Sequence, residues 1–283
     1  MQDIAPMRLG FLGTGTITSA IVSGLCADPA SVCRITLSPR NPQIAARLAS
    51  TFPQVRIAGS NQAMVDSSDV VFLAVRPQVA QEVLATVRFR PEHRIISLIA
   101  TFSRDRIAAM AQPASNVCCA VPLPTVAEHL CPTAIFPPDA VAAELFNRLG
   151  IAVEVANESE LRALWASTAL MATYFTLQDT LRSWLTRHGV APATAREYIA
   201  MMFEGLSRVP RRPEVSFAEL AEAFKTKGGL NEQCADQLKQ SGVFDDFSLA
   251  LDAILARIEG SGGPSPPPQA PAAAVGGNTG GRG

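Results

Sequence analysis

The segment LGFLGTGTITSAIVSGL, Leu9–Leu25, constrains the fold of this 283-residue chain more than any other. An apolar run ends in Gly13 and Gly15, and an apolar-periodic helical pattern follows at once. In a strand–turn–helix unit, Gly13 would allow the tight turn. Gly15 would let the backbone approach a pyrophosphate that lies on the helix N-terminus, at Thr16 and Ile17. The segment therefore predicts a dinucleotide-binding turn, and a plain structural turn is the alternative.

The end of the second predicted strand indicates which dinucleotide binds. An NAD-preferring site has Asp or Glu there, because an acid accepts hydrogen bonds from the ribose hydroxyls. This chain has LSPRN instead, with Ser38 and Arg40 at that place. A hydroxyl and a guanidinium suit a 2′-phosphate, since arginine makes charge-assisted, bidentate contacts to anions. The pattern favours NADP(H) over NAD(H), and a solvated arginine in a turn is the alternative.

Short apolar runs alternate with helical patterns from Arg8 to about Val155. The runs are rich in β-branched residues or almost continuously apolar, as expected of strands buried on both faces. They are LGFLG, RITLS, VRIAG, VVFLAV, RIISLIA, NVCCAV, TAIF and IAVEV. This alternation predicts βαβ units and a mostly parallel sheet. The fold is expected to be α/β, with an N-terminal Rossmann-type dinucleotide-binding domain over residues 1–156.

Beyond this domain the strand patterns stop. Residues 157–259 are predicted to form an all-α C-terminal domain. Its first helix is expected to run unbroken over residues 158–188 and to end at Gly189. Because that helix is apolar on more than one side, it is expected to pack against a second copy, giving a homodimer or higher homo-oligomer. The Gly/Pro/Ala-rich residues 260–283 are predicted to be a disordered tail.

Charge and composition exclude several classes of function. The chain has 24 Lys and Arg against 25 Asp and Glu, so it offers no electrostatic reason to bind nucleic acid or an anionic membrane. No apolar run reaches the roughly 18–20 residues of a membrane span, and the N-terminus lacks the pattern of a secretory signal. Six cysteines without a CxxC pair and three histidines without ligand spacing predict reduced thiols, a cytoplasmic location and no metal site.

Further motifs resemble those of the pyrroline-5-carboxylate reductase family. VVFLAVRPQ, over Val70–Gln78, is similar to a family strand that ends in AVKPQ, and IISLIAT is similar to the family's ISIAAG. Asn61 stands where the family has an asparagine at a helix start. The resemblance extends over roughly residues 8–258 and is strongest in the nucleotide domain. It implies an NADP(H) cofactor, a small-molecule substrate and helical domains that interlock as dimers.

The resemblance also implies roles for individual residues of the nucleotide domain. Ser38 and Arg40 would hold the 2′-phosphate, and Asn61 would hold the adenosine ribose. Ala100 would lie near the nicotinamide. The remaining side of the cofactor would be lined by Ala74, Val75 and Arg76.

Three substrate-binding motifs of the family are altered in this chain. The MPNTP segment reads VPLPT, which puts Leu123 in place of an asparagine, and the SGSGPAY helix start is absent. The SPGGTT loop, whose threonine hydroxyl contacts the substrate imine, reads TKGGLNEQ over residues 226–233. Asn231 is the predicted catalytic residue, because its amide can still donate an N–H to the imine. Lys227 replaces a proline and either pairs with a substrate carboxylate or lies in solvent. The predicted substrate contacts are Gly228, Gly229, Leu230, Asn231 and Tyr174.

Three functions are compatible with these features to different degrees. The first is an NADPH-dependent reductase that transfers hydride to the carbon of a cyclic imine, either in making proline or on a different ring in a specific pathway. The second is a β-hydroxyacid-type dehydrogenase, which the absence of lysine from residues 158–188 disfavours. The third is an NADP-binding regulatory protein without turnover, which the altered substrate motifs favour. The sequence as a whole favours the first.

Overall fold

The computed structural model describes residues 7–27, 33–209 and 215–260. The strands in these ranges are β1 Met7–Leu12, β2 Cys33–Leu37, β3 Val55–Ile57, β4 Val70–Leu73, β5 Arg94–Ser97, β6 Asn116–Val121, β7 Cys131–Phe136 and β8 Gly150–Glu154. The helices are α1 Thr16–Cys26, α2 Pro42–Thr51, α3 Asn61–Asp66, α4 Pro77–Ala85, α5 Arg104–Met110, α6 Ala140–Asn147, α7 Glu158–Ser167, α8 Leu170–Arg187, α9 Pro192–Ser207, α10 Phe217–Ala223, α11 Leu230–Gln240 and α12 Val243–Ile258. A short 3₁₀ helix, Pro124–Glu128, lies between α5 and α6 in the chain.

The strands form one sheet in the order β3-β2-β1-β4-β5-β6-β7-β8. Every neighbouring pair is parallel except β6 and β7, which run antiparallel. The strand order reverses between β1 and β4, because β2 and β3 lie on one side of β1 and the later strands lie on the other. The predicted Rossmann-type α/β fold is confirmed. In open sheets of this kind, the reversal leaves a crevice at the carboxyl ends of the strands, where ligands bind.

The central strands of the sheet, such as β1 and β4, are buried on both faces, which explains why they are almost continuously apolar. In β1, Leu9 and Phe11 belong to the core on one face and Leu12 to the core on the other, and all three are fully buried. The ring of Phe11 stacks on that of Phe72 in β4, with centroids 4.5 Å apart. Phe146 of α6 packs edge-on against Phe72. Aromatic pairs of this kind contribute about 0.5–1.5 kcal/mol beyond their buried area, so this cluster stabilises the β1–β4 junction.

The helix predicted over residues 158–188 is two helices, α7 and α8. The chain tightens between them at Thr168 and Ala169, whose amides donate to carbonyls only three residues earlier. The hydroxyl of Thr168 also donates to the carbonyl of Trp165, at 2.7 Å. Hydroxyls that bond to nearby carbonyls compete with the regular helical pattern and bend it. The prediction of one unbroken helix is therefore wrong here, whereas its end at Gly189, with a φ of +88°, is confirmed.

The helices after α7 leave much apolar surface uncovered in a single chain. No described residue of α8, α10, α11 or α12 is buried. Phe175 and Trp184 of α8 are 67% and 51% exposed, and Phe217 of α10 is 91% exposed. Extended apolar surfaces mark interaction sites in soluble proteins. These faces are therefore available to a second copy, as the sequence predicts for the first helix.

Three further predictions concern membrane spans, the cysteines and the C-terminal tail. No helix within the described ranges is both long and apolar enough to cross a membrane. All six cysteines lie in those ranges as free thiols, and only Cys234 is exposed. The tail predicted to begin at residue 260 lies, apart from Gly260, outside the described residues.

His93 is one group that should make the stability of this fold depend on pH near neutrality. The side chain, just before β5, is fully buried, and its Nδ1 accepts the amide N–H of Arg90 at 2.9 Å. Burial, and secondly the charge of Arg90, hold the pKa of His93 below its ordinary value of 6.5. The unfolded chain therefore takes up a proton at this site at a higher pH than the folded chain does. The stabilisation is complete above about pH 6.5 and is lost as the pH falls below it.

We expect the free energy of unfolding, measured by urea titration, to fall between about pH 7 and pH 5 in the wild-type chain. His93→Phe removes the titrating ring and the bond to Arg90. It should be less stable than wild type at pH 7 and should lose less stability towards pH 5. His188→Gln, at an exposed histidine, is the control and should keep the wild-type slope. Equal slopes in wild type and His93→Phe would contradict this account.

Candidate cofactor and substrate site

The loops that carry the predicted cofactor residues lie together at one edge of the sheet. Gly13 follows β1, Ser38 follows β2, Ala74 follows β4 and Ala100 follows β5. These strands are parallel neighbours, so their carboxyl ends meet at the same edge. The amides of Ser38 and Ala74 donate to carbonyls at the end of β1, at 3.0 and 2.9 Å. The loops on both sides of β1 are thereby held against it.

Gly13 is the point where the loops after β1 and β4 meet. Its φ of +107° lies in the left-handed region, which favours glycine. A Cβ at this position would lie 2.5 Å from the carbonyl oxygen of Ala74, closer than packed atoms approach. The carbonyl of Gly13 accepts the hydroxyl of Thr18 at 2.8 Å. Thr18 is fully buried in α1 and ties the helix to the turn at the place of the third glycine of the Rossmann motif.

Gly15 is the N-cap of α1 and leaves the start of that helix open. It is extended and provides no side-chain cap, and the first turn of α1 has no acidic residue. A Cβ on Gly15 would meet no atom of the described chain within 4 Å. Glycine is therefore not required there by packing within those residues. The amides of the first turn, including those of Thr16 and Ile17, face a space that an anion can occupy, and the helix dipole favours negative charge there.

Ser38 has a different role from the one that the sequence predicts. Its side chain is fully buried, and its Oγ accepts the amide N–H of Gly13 at 3.0 Å. The hydroxyl of Thr14 donates to the carbonyl of Ser38 at 3.1 Å. The predicted contact between the Ser38 hydroxyl and a 2′-phosphate is corrected, because this hydroxyl lies beneath the glycine turn and supports it. Thr14, which no sequence motif indicated, belongs to the same support.

The remaining predicted cofactor residues border this edge with different exposures. Arg40 is exposed in the loop before α2, and Arg76 is exposed as the N-cap of α4. Asn61 is half-buried at the start of α3. Ala74 and Ala100 are half-buried and Val75 is buried. The edge thus offers two guanidinium groups, one amide and a small apolar wall, and the roles assigned to these residues stay predictions.

The loop predicted to contact substrate joins α10 to α11. Gly228 has a φ of +72°, and its amide donates to Glu232 Oε2 at 2.6 Å. Asn231 donates from Nδ2 to the carbonyl of Phe224 at 3.0 Å, which fixes the orientation of its side chain. Gly229 is the N-cap of α11, and Leu230 is 85% exposed. Within the described chain these bonds hold the loop against the end of α10 and the start of α11. The side of the loop that carries Leu230 is exposed to solvent.

Tyr174 lines a cavity of about 480 Å³ between the β6–β8 end of the sheet and the helices α7 and α8. Its ring packs edge-on against Phe175 and Phe203. Leu123, from VPLPT, lines the same cavity. The segment at residues 165–175, WASTALMATYF, stands in the region where the family has its SGSGPAY helix start. Two segments in which the sequence departs from the family motifs, this one and VPLPT, therefore meet at one place.

The cysteines and His129 do not form a second reactive centre in the described chain. Burial raises the pKa of Cys118 and of Cys119 to about 12, so both thiols stay protonated and pack as core residues. No group of three or more His, Cys, Asp or Glu residues in the described ranges is placed to hold a metal ion. His129, in the loop after VPLPT, is exposed, and its Nδ1 bonds the carbonyl of Arg148 at 2.7 Å.

The two glycines of the turn should respond differently to the same substitution. Gly15→Ala places a methyl group in open space, so unfolding free energy should change by less than about 1 kcal/mol while NADPH affinity falls at least about tenfold. Gly13→Ala forces a clash with Ala74 and should reduce stability and affinity together. Isothermal titration and urea unfolding measure both quantities. Gly59→Ala, at another open glycine, is the control. Unchanged NADPH affinity in Gly15→Ala would contradict the assignment of the turn.

Comparisons with known proteins agree with this geometry. Residues 8–101 match a family model described as NADP oxidoreductase, coenzyme F420-dependent, and residues 158–260 match one described as pyrroline-5-carboxylate reductase dimerisation. A pyrroline-5-carboxylate reductase of Vibrio alginolyticus is 26% identical over 264 residues, which cover 89% of this chain and 96% of the relative.

Solved structures share the fold over almost the whole chain. A pyrroline-5-carboxylate reductase from Coxiella burnetii has a TM-score of 0.79 at 21% identity and covers 92% of this chain and 100% of its own. A pyrroline carboxylate reductase from Plasmodium falciparum, with NADP bound, has a TM-score of 0.75 at 15% identity and covers 92% and 99%. The two family models and these relatives, over nearly their full length, together indicate the pyrroline-5-carboxylate reductase family of NADP-dependent oxidoreductases.

Proposed function

We propose that this protein is an NADPH-dependent reductase of a cyclic imine. Hydride passes from the nicotinamide to the carbon of the C=N bond, and the product is a cyclic amine of the proline type. The observation that carries the proposal is the open glycine turn at the point where the strand order reverses, with Arg40 in place of an acid after β2. Relatives that span nearly the whole chain are named pyrroline-5-carboxylate reductase, which supports that imine as the first substrate to test.

The residues at the sheet edge fit an NADP(H) molecule. The space at Gly15 and the open amides of α1 would receive the pyrophosphate. Arg40 would hold the 2′-phosphate, which a charge-assisted guanidinium contact favours. Asn61 would contact the adenosine ribose. The nicotinamide half would lie against Ala74, Val75, Arg76 and Ala100.

The protein's part in the reaction is to position the imine and to satisfy its nitrogen. When bound, the dihydronicotinamide supplies a hydride to the imine carbon. The nitrogen gains one proton, and a cyclic imine is basic enough to arrive with it. Nδ2 of Asn231 donates one of its two hydrogens to Phe224. The second hydrogen would be available to the imine nitrogen, as the sequence predicts, and Oδ1 would accept a hydrogen bond from a protonated nitrogen. The amides at Gly228 and Gly229, with Leu230 and Tyr174, would shape the rest of the substrate site.

The site is expected to be complete only in a homodimer. The uncovered apolar faces of α8 and the later helices support pairing with a second copy, and a closed two-fold arrangement is the commonest in soluble proteins. Such pairing would bring the exposed side of the loop at residues 226–233 to the cofactor edge. A cytoplasmic location agrees with the six free cysteines.

Two alternative functions keep the cofactor and differ in the substrate or in turnover. Leu123 and Leu230 stand where the family has polar residues, which favours an imine with a different ring. The same changes favour a regulatory protein that binds NADP without turnover. Nucleotide titrations and turnover with a panel of imines distinguish these possibilities.

The 2′-phosphate assignment predicts opposite patterns for two neighbouring residues. Arg40→Ala should weaken NADPH binding by about 10–100-fold, the worth of a charged hydrogen bond, and NADH binding by less than about twofold. Ser38→Ala removes the support of the turn and should weaken both nucleotides alike. Arg34→Ala, an exposed arginine near the opposite end of β2, is the control. Titrations of each variant with both nucleotides measure these effects. An equal loss of both nucleotides in Arg40→Ala would contradict the assignment.

Turnover tests the catalytic assignment. Loss of absorbance at the nicotinamide band should follow when 1-pyrroline-5-carboxylate, or another cyclic imine from a panel, is added to protein and NADPH. Asn231→Ala should lower kcat/KM by about 10–100-fold and leave the NADPH Kd unchanged. Gln237→Ala, an exposed residue of the same helix that lies outside the loop at residues 226–233, is the control and should keep wild-type rates. Tight NADPH binding without turnover of any imine would favour the regulatory alternative, and no binding of either nucleotide would overturn the proposal.

A further inference from the structure

A cavity of about 480 Å³ lies beside the break between α7 and α8. This volume is within the range of small-molecule sites. The ends of β6, β7 and β8 form one wall, and residues on both sides of the helix break form the other. None of the residues predicted to bind the cofactor lines this cavity. The cavity is therefore free to receive a different group.

The cavity lies close to the place predicted for the nicotinamide, which is the reacting end of the cofactor. In the parallel pair β5–β6, Ser97 lies opposite Cys119, so Val121 of β6 is brought beside the segment that leads to Ala100. Val121 lines the cavity, and it also lines a small cleft that Ala100 lines. A ring held over a nicotinamide near Ala100 can therefore direct one substituent past Val121 into the cavity.

The chemistry of the walls determines which substituent fits. None of the described side chains that line the cavity is charged. The hydroxyls of Ser167 and Thr168 already donate to carbonyls of α7, each at 2.7 Å. Thr125 and Tyr174 supply the remaining hydroxyls, and Leu123 supplies an apolar side chain. A carboxylate would lose its hydration here without gaining a cation, whereas an apolar group gains by leaving water.

We propose that this cavity binds an uncharged, apolar substituent on the ring of the cyclic imine, and that Leu123 determines this specificity. The inference rests on the proposed reductase function and names its substrate class. The reaction balances as one hydride from NADPH to the imine carbon and one proton to the nitrogen, which gives NADP⁺ and a substituted cyclic amine. A ring that carries a carboxylate is then a poorer substrate than a ring that carries an apolar group, although both have the same reacting C=N bond.

Three matched imines test the proposal with the purified full-length chain. They are 1-pyrrolines with a carboxylate, a methyl group or a phenyl group at carbon 5, so the reacting C=N bond is unchanged. The oxidation of NADPH is followed to measure kcat/KM for each compound. We expect kcat/KM for the phenyl compound to exceed that for the carboxylate at least about tenfold, because its transition state is bound more tightly. A preference for the carboxylate would overturn the inference and leave the reductase function intact. No oxidation with any of the three, or with any other cyclic imine of the panel, would remove the proposed function itself.

Variants locate the preference in the cavity. Leu123→Asn should reduce the phenyl-to-carboxylate ratio of kcat/KM at least about fivefold without changing the NADPH Kd, since a polar group then faces the apolar substituent. Leu130→Asn, at a 70% exposed leucine outside the cavity, is the matched control and should keep the wild-type ratio. The oligomeric state of each variant is measured by light scattering. If Leu123→Asn changes the oligomeric state and leaves the ratio unchanged, a second copy fills the cavity and the inference is wrong.

Discussion

The close approach of the loops after β1 and β4 is the constraint on which the rest of this structure depends. Gly13 lies so near Ala74 that a methyl group would be 2.5 Å from its carbonyl oxygen. The amide of Gly13 is held from the other side by the buried hydroxyl of Ser38. With the turn fixed in this way, α1 starts directly at the crevice and its amides stay uncapped. Backbone groups alone would therefore form the predicted anion site at the start of α1.

The two halves of the chain bury their apolar residues in different ways. The sheet covers both its faces within one chain, and aromatic rings such as Phe11 and Phe72 join neighbouring strands. The helices after α7 instead leave large side chains such as Phe175 in solvent. A rigid frame for the cofactor is therefore complete in a single chain, whereas the substrate side depends on what covers the helices. The break at Thr168 connects the two, because it shapes one wall of the cavity beside the sheet.

Strand positions were predictable because burial on both faces makes the central strands almost continuously apolar and the edge strands are rich in β-branched residues, and all eight runs are strands. Gly13 likewise predicted the turn, since few other residues tolerate its φ of +107°. Ser38 could not be assigned from sequence, because a hydroxyl directly after a strand can point to ligand or beneath the turn. The break at Thr168 was missed because helix periodicity continues through it, and only the local hydroxyl bonds reveal it. Apolar residues that form the cavity also look like ordinary core residues, so sequence did not indicate a pocket.

The most direct test of the account is the fate of the hydride. The full-length chain would be incubated with a cyclic 1-pyrroline and NADPH that carries deuterium at both positions of nicotinamide carbon 4, and the product would be analysed by mass spectrometry. Direct transfer at the sheet edge predicts a cyclic amine with one deuterium on the former imine carbon. Formation of an amine without deuterium, or the absence of any amine while NADPH stays bound, would contradict the central claim that this site reduces a C=N bond.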